Sequence, residues 1–318
     1  MPSDGMGSMQ RLRRSALATP GSNERMIAKA AVSDADEVFL DLEDAVAPAE
    51  RAAARVLVVD GLTSLDWGQK IRAVRVNSLT SEEGVQDLET VIEGAGAHVD
   101  AVIVPKVRGA EEVHLADRML DDLETRLGRD NRIGIEVLIE TVEGLVRVHE
   151  IAGASSRIET LIVGVGDLGA SQGARTVGLE PSAFMDSGMW LYARSRVLVA
   201  ARNAGVEAID GPFTRIPDLD AYERLAREVR VMGFSGKWAI HPSQIPVANR
   251  EFGLQPEEEH WLSRIEEEYL PAVESGVGAI ALDGELVDAA HLLMAERLRR
   301  LGSMTARTDE HARRADRL

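Results

Sequence analysis

Ionisable side chains recur at one kind of place in this sequence, the ends of short apolar runs. "EVFLDLED" ends with Asp41, Glu43 and Asp44, and "IRAVRVN" with Arg75 and Asn77. "AVIVPKV" carries Lys106, and "IGIEVLIE" carries Glu136 and Glu140. "TLIVGVGD" ends in Asp167, "VEAIDGP" contains Asp210, and "GKWAIHP" contains His241. An unpartnered charge inside a buried strand costs several kcal/mol or more, so each needs a reason. One polar residue at a strand end is ordinarily a helix cap, but runs built alike predict that their ends converge on a common rim. Adjacent strands lie about 4.8 Å apart. Glu140 and Asp167, ending consecutive runs, can therefore share a hard cation with ligand bonds of about 2.1 Å, as Mg²⁺ prefers. The alternative is that Asp167 caps the following turn. The seven histidines show no HxxxH or HxH spacing, so nothing favours a softer metal. Arg75, flanked by valines, offers two parallel donors to a carboxylate or enolate oxygen, or an internal ion pair with Asp41 or Glu43. Lys106 could act as a Schiff-base nucleophile, but a ring of carboxylates favours a charged lysine that pairs with phosphate or carboxylate.

These residues need elements to bring them together. An eighth apolar run, "SALATP" (15–20), precedes the other seven, and each run leads into a helical pattern: from Ser22, 49–59, from about Ser81, 110–127, 141–152, 186–204, 218–232 and 256–268. Ser22 is placed to cap the first helix, whose apolar stripe is Met26, Ile27 and Ala30. Strict β/α alternation implies a parallel sheet with helical crossovers. Eight units over about this length predict an α/β fold, a (β/α)8 TIM barrel with a C-terminal helical extension, whose chemistry sits at the C-terminal strand ends. A doubly wound open sheet is the competitor, but no GxGxxG follows the first strand. The expected organisation is a flexible leader (1–14), the barrel (15–275), a C-terminal segment packing on the barrel or on a neighbouring subunit (276–302), and a loosely ordered polar tail (303–318). In the extension, Leu286, Ala290, Leu293, Met294, Leu298 and Leu301 form one helical face.

Composition narrows the function classes. A net charge of −17 in 318 residues argues against a nucleic-acid binder, which needs a basic face. There is no cysteine, hence no disulfide, thiolate metal site or thiol nucleophile. No apolar run is long enough for a membrane span and the first residues lack the apolar core of a signal peptide, so a cytoplasmic protein is expected.

"RRSALATPGSNERMIAKA", "VFLDLEDAVAPAERAAAR", "VRVN", "VIVPKV", "LIETVEG", "GVGDLGAS", "GKWAIHPSQI" and "DGELVDAA", in this order from about 11 to 290, resemble the citrate lyase beta-subunit-like family, and most of all its malyl-CoA and β-methylmalyl-CoA lyase branch. The resemblance implies a Mg²⁺-dependent barrel, a homotrimer or hexamer (a dimer of trimers), that makes or breaks a C–C bond beside a coenzyme A thioester. An acyl-CoA and a small keto acid would be its partners. It implies that Glu140 and Asp167 ligate the metal, with Glu43 and Asp44 holding metal-bound waters, and that Arg75 contacts the substrate carboxylate or thioester oxygen. Arg25 and Lys29 would meet the CoA phosphates with Ser22 nearby, and Asp288 would be a catalytic acid/base delivered from a neighbouring subunit. The sequence departs from the family pattern at Ala18, where relatives often carry an aromatic, and in "QGARTVGLEPSAFMD". Thioester hydrolysis, a CoA-independent pyruvate aldolase and a non-catalytic CoA or metabolite-binding barrel are the competing functions.

Overall fold

In the computed structural model the described residues are 11–129, 132–175 and 188–315. The chain divides into two compact units, one ending at Asn249 and the other beginning at Arg250.

The first unit is a closed barrel of eight strands in sequence order: β1 Ser15–Pro20, β2 Glu37–Asp41, β3 Ile71–Arg75, β4 Ala101–Val104, β5 Gly134–Ile139, β6 Ile158–Val163, β7 Glu207–Asp210 and β8 Gly236–Ala239. All pairings are parallel, and β1 against β8 closes the ring. The expected α/β barrel is therefore what the chain forms. Helices follow the strands at Glu24–Ala31, Arg51–Ser64, Glu82–Ala95, Ala110–Leu127, Val142–Val146 with Val148–Ala152, Leu191–Ala204, Leu219–Met232 and Ile245–Glu251. The eighth crossover thus differs from expectation. "PSQIPVANRE" continues β8, whereas 256–268 lies in the second unit. At the first helix the cap is Asn23, not Ser22: the Asn23 side chain accepts the Met26 N–H at 3.0 Å.

Alternation along each strand sends every second side chain inward. Alanines on β1, β3 and β4 (Ala16, Ala73, Ala101) leave room for Phe39 of β2 and Trp238 of β8, which meet at 4.4 Å between ring centroids. Ile103, Leu138, Ile162 and Ile209 complete this packed interior. Small-against-large filling is how a barrel of eight strands excludes a pore. Truncating Phe39 would cost about 3–5 kcal/mol.

Below this apolar layer the barrel has a charged floor. Arg13 Nε donates to Glu37 at 2.8 Å and to Glu136 at 2.9 Å, and its guanidinium also pairs with Glu159. Arg14 takes Asp36 through its backbone and side chain. The expected flexible leader is therefore anchored at its end, since Arg13 and Arg14 are both buried. Glu136, expected at the functional rim, belongs to this floor.

The second unit holds a two-stranded antiparallel hairpin, Ile280–Leu282 with Glu285–Val287. Its turn, Asp283-Gly284, has positive φ at both residues (50 and 88), as a type I′ hairpin turn requires. The helices are Pro256–Arg264, Leu270–Glu274 and Ala289–Ala315. They and the hairpin bury Leu262, Ile265, Tyr269, Leu282, Val287 and Ala295, with Trp261, Leu292 and Leu298 against them. The face packed in this unit runs through Leu292, Ala295 and Leu298, while Leu286, Leu293 and Met294 are exposed. The last helix of the unit extends through the polar segment after Gly302 as far as Ala315.

Candidate active site

The site begins where β2 ends. Asp41 Oδ1 and Oδ2 accept the N–H groups of Glu43 and Ala45 at 2.9 and 3.1 Å, an Asx-type turn that carries the chain over the rim. Arg75 is in register with Asp41 on β3. It grips the same carboxylate side-on, Nε to Oδ1 at 2.8 Å and Nη2 to Oδ2 at 2.6 Å. The remaining nitrogen, Nη1, lies 3.1 Å from Glu43 and 3.7 Å from Asp44. The guanidinium stands 5.5 Å over the Trp238 ring, a favourable cation–π distance. Burial opposes the Arg75 charge, but the bonds and charge of Asp41, with Glu43 and Asp44, outweigh it and hold the pKa above the ordinary arginine value. Arg75 is thus in the rim as expected and ion-paired as the alternative required. Its bidentate edge is spent on Asp41, and Nη1 is the donor turned to the other carboxylates.

Lys106 follows β4 in the left-handed region, φ 54. For a residue with a Cβ this conformation is uncommon and strained, and such strain gathers at functional sites. It aims the Lys106 N–H at Glu140 Oε1, 3.0 Å away. The ammonium bonds Glu43, approaches Asp44 at 3.2 Å and lies 3.8 Å from Asp167. Burial opposes its charge, yet these carboxylates raise its pKa above the normal lysine range, so it remains an ammonium and no Schiff-base nucleophile. Its ion pairs are with Glu43, Asp44 and Asp167 and do not include Glu140.

Glu140 follows β5 and is 3% exposed. It fits because Gly164 opposes it: a Cβ there would lie 2.6 Å from Glu140 Cβ and 2.7 Å from Oε2. Asp167 stands in the first turn of the short helix Val165–Ser171, whose N-cap is Gly164, with no side-chain cap bond. It is therefore not a cap. Burial, then the Asp167 and Glu43 carboxylates, push the Glu140 pKa up to about 9 despite Arg75 and Lys106. An ionised Glu140 at this buried position therefore calls for a further positive charge beside it. Among the described residues no group of three or more His, Asp or Glu is arranged to hold a metal by protein ligands alone. One or two carboxylates completed by water and substrate oxygens is the donor set Mg²⁺ takes, and Glu140 and Asp167, close enough that Asp167 raises the cost of ionising Glu140, fit that ion by their chemistry.

Other strand-end residues stay apart from this cluster. Asn77 bonds Asp87 and the Leu42 carbonyl at 2.7 and 2.8 Å. Because Ile209 faces the interior, Asp210 faces outward, where it pairs with Arg194 at 2.8 Å and with Lys237. His241 bonds Ser243. Arg25 and Lys29 are exposed one turn apart on the first helix, with Ser22 half-buried just before it. Asp288 lies in the second unit, preceding the helix Ala289–Ala315. Most of the divergent 172–186 segment falls outside the described residues. Trp238 escaped sequence reasoning: strand parity makes it inward-facing, but only the closed ring brings β8 round to place it beneath Arg75.

A carboxylate pair, a clamped arginine and a lysine at the C-terminal mouth of a (β/α)8 barrel suit metal-assisted chemistry on an anionic carbonyl compound. The family model for HpcH/HpaI aldolase/citrate lyase matches residues 14–242. The chain belongs to this family. It is 35% identical to an L-malyl-CoA/beta-methylmalyl-CoA lyase of Cereibacter sphaeroides, over 92% of this chain and 96% of that protein. It is 34% identical to a (3S)-malyl-CoA thioesterase of the same species, over 89% and 92%. Among solved structures, CitE from Mycobacterium tuberculosis in complex with magnesium, acetoacetate and coenzyme A aligns at a TM-score of 0.71 and 31% identity, covering 91% of this chain and 97% of that one. Among the described residues no helix is long and apolar enough to cross a membrane.

Proposed function

We propose that this protein is a Mg²⁺-dependent C–C lyase of CoA esters, interconverting a 3-hydroxyacyl-CoA such as malyl-CoA or β-methylmalyl-CoA with an acyl-CoA and glyoxylate or a similar keto acid. The observation that carries the reading is Glu140, buried and surrounded by negative charge beside Asp167 at the barrel mouth. These two carboxylates would hold the ion, and the chemistry it would supply there is Lewis-acid polarisation of a hydroxyl or carbonyl oxygen.

The chain's own residues do the rest. Glu43 and Asp44, next to Lys106 and Arg75, orient waters at the mouth. The hydroxyl oxygen gives its proton to a water held by Glu43 and Asp44 and becomes the keto-acid carbonyl, while the electron pair of the breaking C–C bond moves onto the thioester enolate. Arg75, kept cationic and immobile by Asp41, stabilises that charge through a fixed donor. Asp288 of a neighbouring subunit gives a proton to the enolate carbon in cleavage and takes one from it in condensation. Arg25 and Lys29, with Ser22 beside them, receive the CoA phosphates. That exchange requires an oligomer, for which the family resemblance gives a homotrimer or a dimer of trimers, and the cytoplasm is the compartment proposed, with neither nucleic acid nor membrane as a partner.

The thioesterase relative favours a second reading, hydrolysis of the malyl thioester. Product analysis separates the two. Incubation with Mg²⁺ and malyl-CoA yields acetyl-CoA plus glyoxylate for a lyase, and free CoA plus malate for a thioesterase. A panel of acyl-CoAs with glyoxylate or pyruvate, analysed by mass, then names the acyl chain. Absence of adduct and of cleavage across the panel refutes the lyase.

A further inference from the structure

The Asp288 carboxylate is held from two sides in the second unit. Oδ1 accepts the Ala290 N–H at 3.0 Å and lies 3.1 Å from Nδ1 of His291. The Asp288 backbone N–H meets the same Nδ1 at 3.1 Å, and the imidazole sits beside Trp261, ring centroids 6.3 Å apart. This is the reciprocal pattern of a capping box, in which Glu or Gln ordinarily fills the third helical position. Imidazole differs from a carboxylate there in one respect. Without a proton Nδ1 accepts the Asp288 amide, and with a proton it donates to Oδ1. Among the described residues all bonds to this carboxylate end on Oδ1, and the side chain is 48% exposed. The backbone bond from Ala290, then His291, hold the Asp288 pKa below its ordinary value.

We infer that His291 is a positioning residue for the proton-transfer step. Its contact with Oδ1 fixes the carboxylate and leaves Oδ2 as the oxygen that meets the substrate carbon. This rests on the acid/base role proposed for Asp288. A plain helix cap makes a different demand, since it needs only an acceptor for the Asp288 N–H.

The test uses the full chain with Mg²⁺ and malyl-CoA. His291→Glu keeps the capping acceptor but places an anion beside Oδ1. It should melt with the wild type and keep KM within about twofold, while kcat falls about tenfold to a hundredfold, a fraction of what general acid–base catalysis contributes. His291→Gln, which can accept the amide with one atom and donate to Oδ1 with the other, should return kcat to within about threefold of wild type. Wild-type kcat in His291→Glu, or a Gln variant as slow as the Glu variant, overturns the inference. Asp288→Asn is run alongside. If it turns over normally, the acid/base reading falls and this inference with it. If Asp288→Asn is inactive while His291→Glu is fast, only the inference falls.

Discussion

The two ends of the barrel are built from the same ingredients, crowded carboxylates around buried cations, and differ in how far water and ions can reach them. At the floor, Arg13 reaches Glu37, Glu136 and Glu159 inside a sealed layer. Burial and then the Glu136 carboxylate push Glu37 well above the ordinary carboxylate range, the direction in which a retained proton relieves the excess negative charge. At the mouth, Arg75 and Lys106 face Asp41, Glu43, Asp44 and Asp167. Burial and the nearby carboxylates raise the Glu140 pKa as well, but Asp167 is 43% and Lys106 34% exposed, so a dissolved cation can reach this site and take the place of that proton. A buried charged layer can be closed by a proton and serve the fold, or left open to a ligand and serve chemistry. Accessibility decides between them.

The largest effect that could break this contrast is at the mouth. Asp167→Asn or Glu140→Gln should lower lyase turnover by about a thousandfold or more without lowering the melting temperature. EDTA should do the same to the wild type, with Mg²⁺ restoring activity. A variant that loses stability in step with activity would make the mouth a structural layer like the floor. The converse holds for Arg13→Ala. Leaving buried carboxylates unpaired should cost about 3–5 kcal/mol in a urea titration, with kcat of the folded fraction unchanged.

Asp41→Asn sharpens the picture of Arg75. A neutral amide cannot hold the fork as a carboxylate does, and turnover should drop about tenfold to a hundredfold, mostly in kcat. The floor also predicts a pH dependence. Glu37 and Glu136 have raised folded pKa values. At these two groups the native state binds protons more tightly than the unfolded chain, and their contribution to stability is greatest below the ordinary carboxylate pKa. It falls as pH rises through the folded values, with a slope of at most about 1.4 kcal/mol per pH unit per retained proton. Urea midpoints measured from pH 5 to pH 9 (about the range above an unperturbed carboxylate) should decline, and Glu37→Gln should flatten the slope. The smallest expected effect is none at all: borohydride with substrate should leave Lys106 unlabelled, because its neighbours keep it protonated.

Much of the fold was legible because its signals are local. β/α alternation and the helix at 110–127 depend on neighbouring residues alone, and the structure reproduces both. The candidate cluster was half legible. Glu140, Asp167, Arg75, Glu43 and Lys106 were found by their position at run ends, but so were Glu136, Asp210, Asn77 and His241, which lie elsewhere. Strand ends are blurred in sequence by a residue or two, and one step of parity turns a side chain from the mouth to the helices, as Asp210 beside Ile209 shows.

The sequence by itself determined the elements, their order and the residue types offered to the rim, since propensity and period act within a turn or two of chain. Only the tertiary structure decided that Arg13 plugs the floor, that Trp238 underlies Arg75, and that Asn249 ends the first unit. It also decided how strongly Glu140 resists ionisation. Those outcomes depend on distances and burial between residues far apart in the chain, and electrostatic energy in a desolvated site follows separation in space, not in sequence.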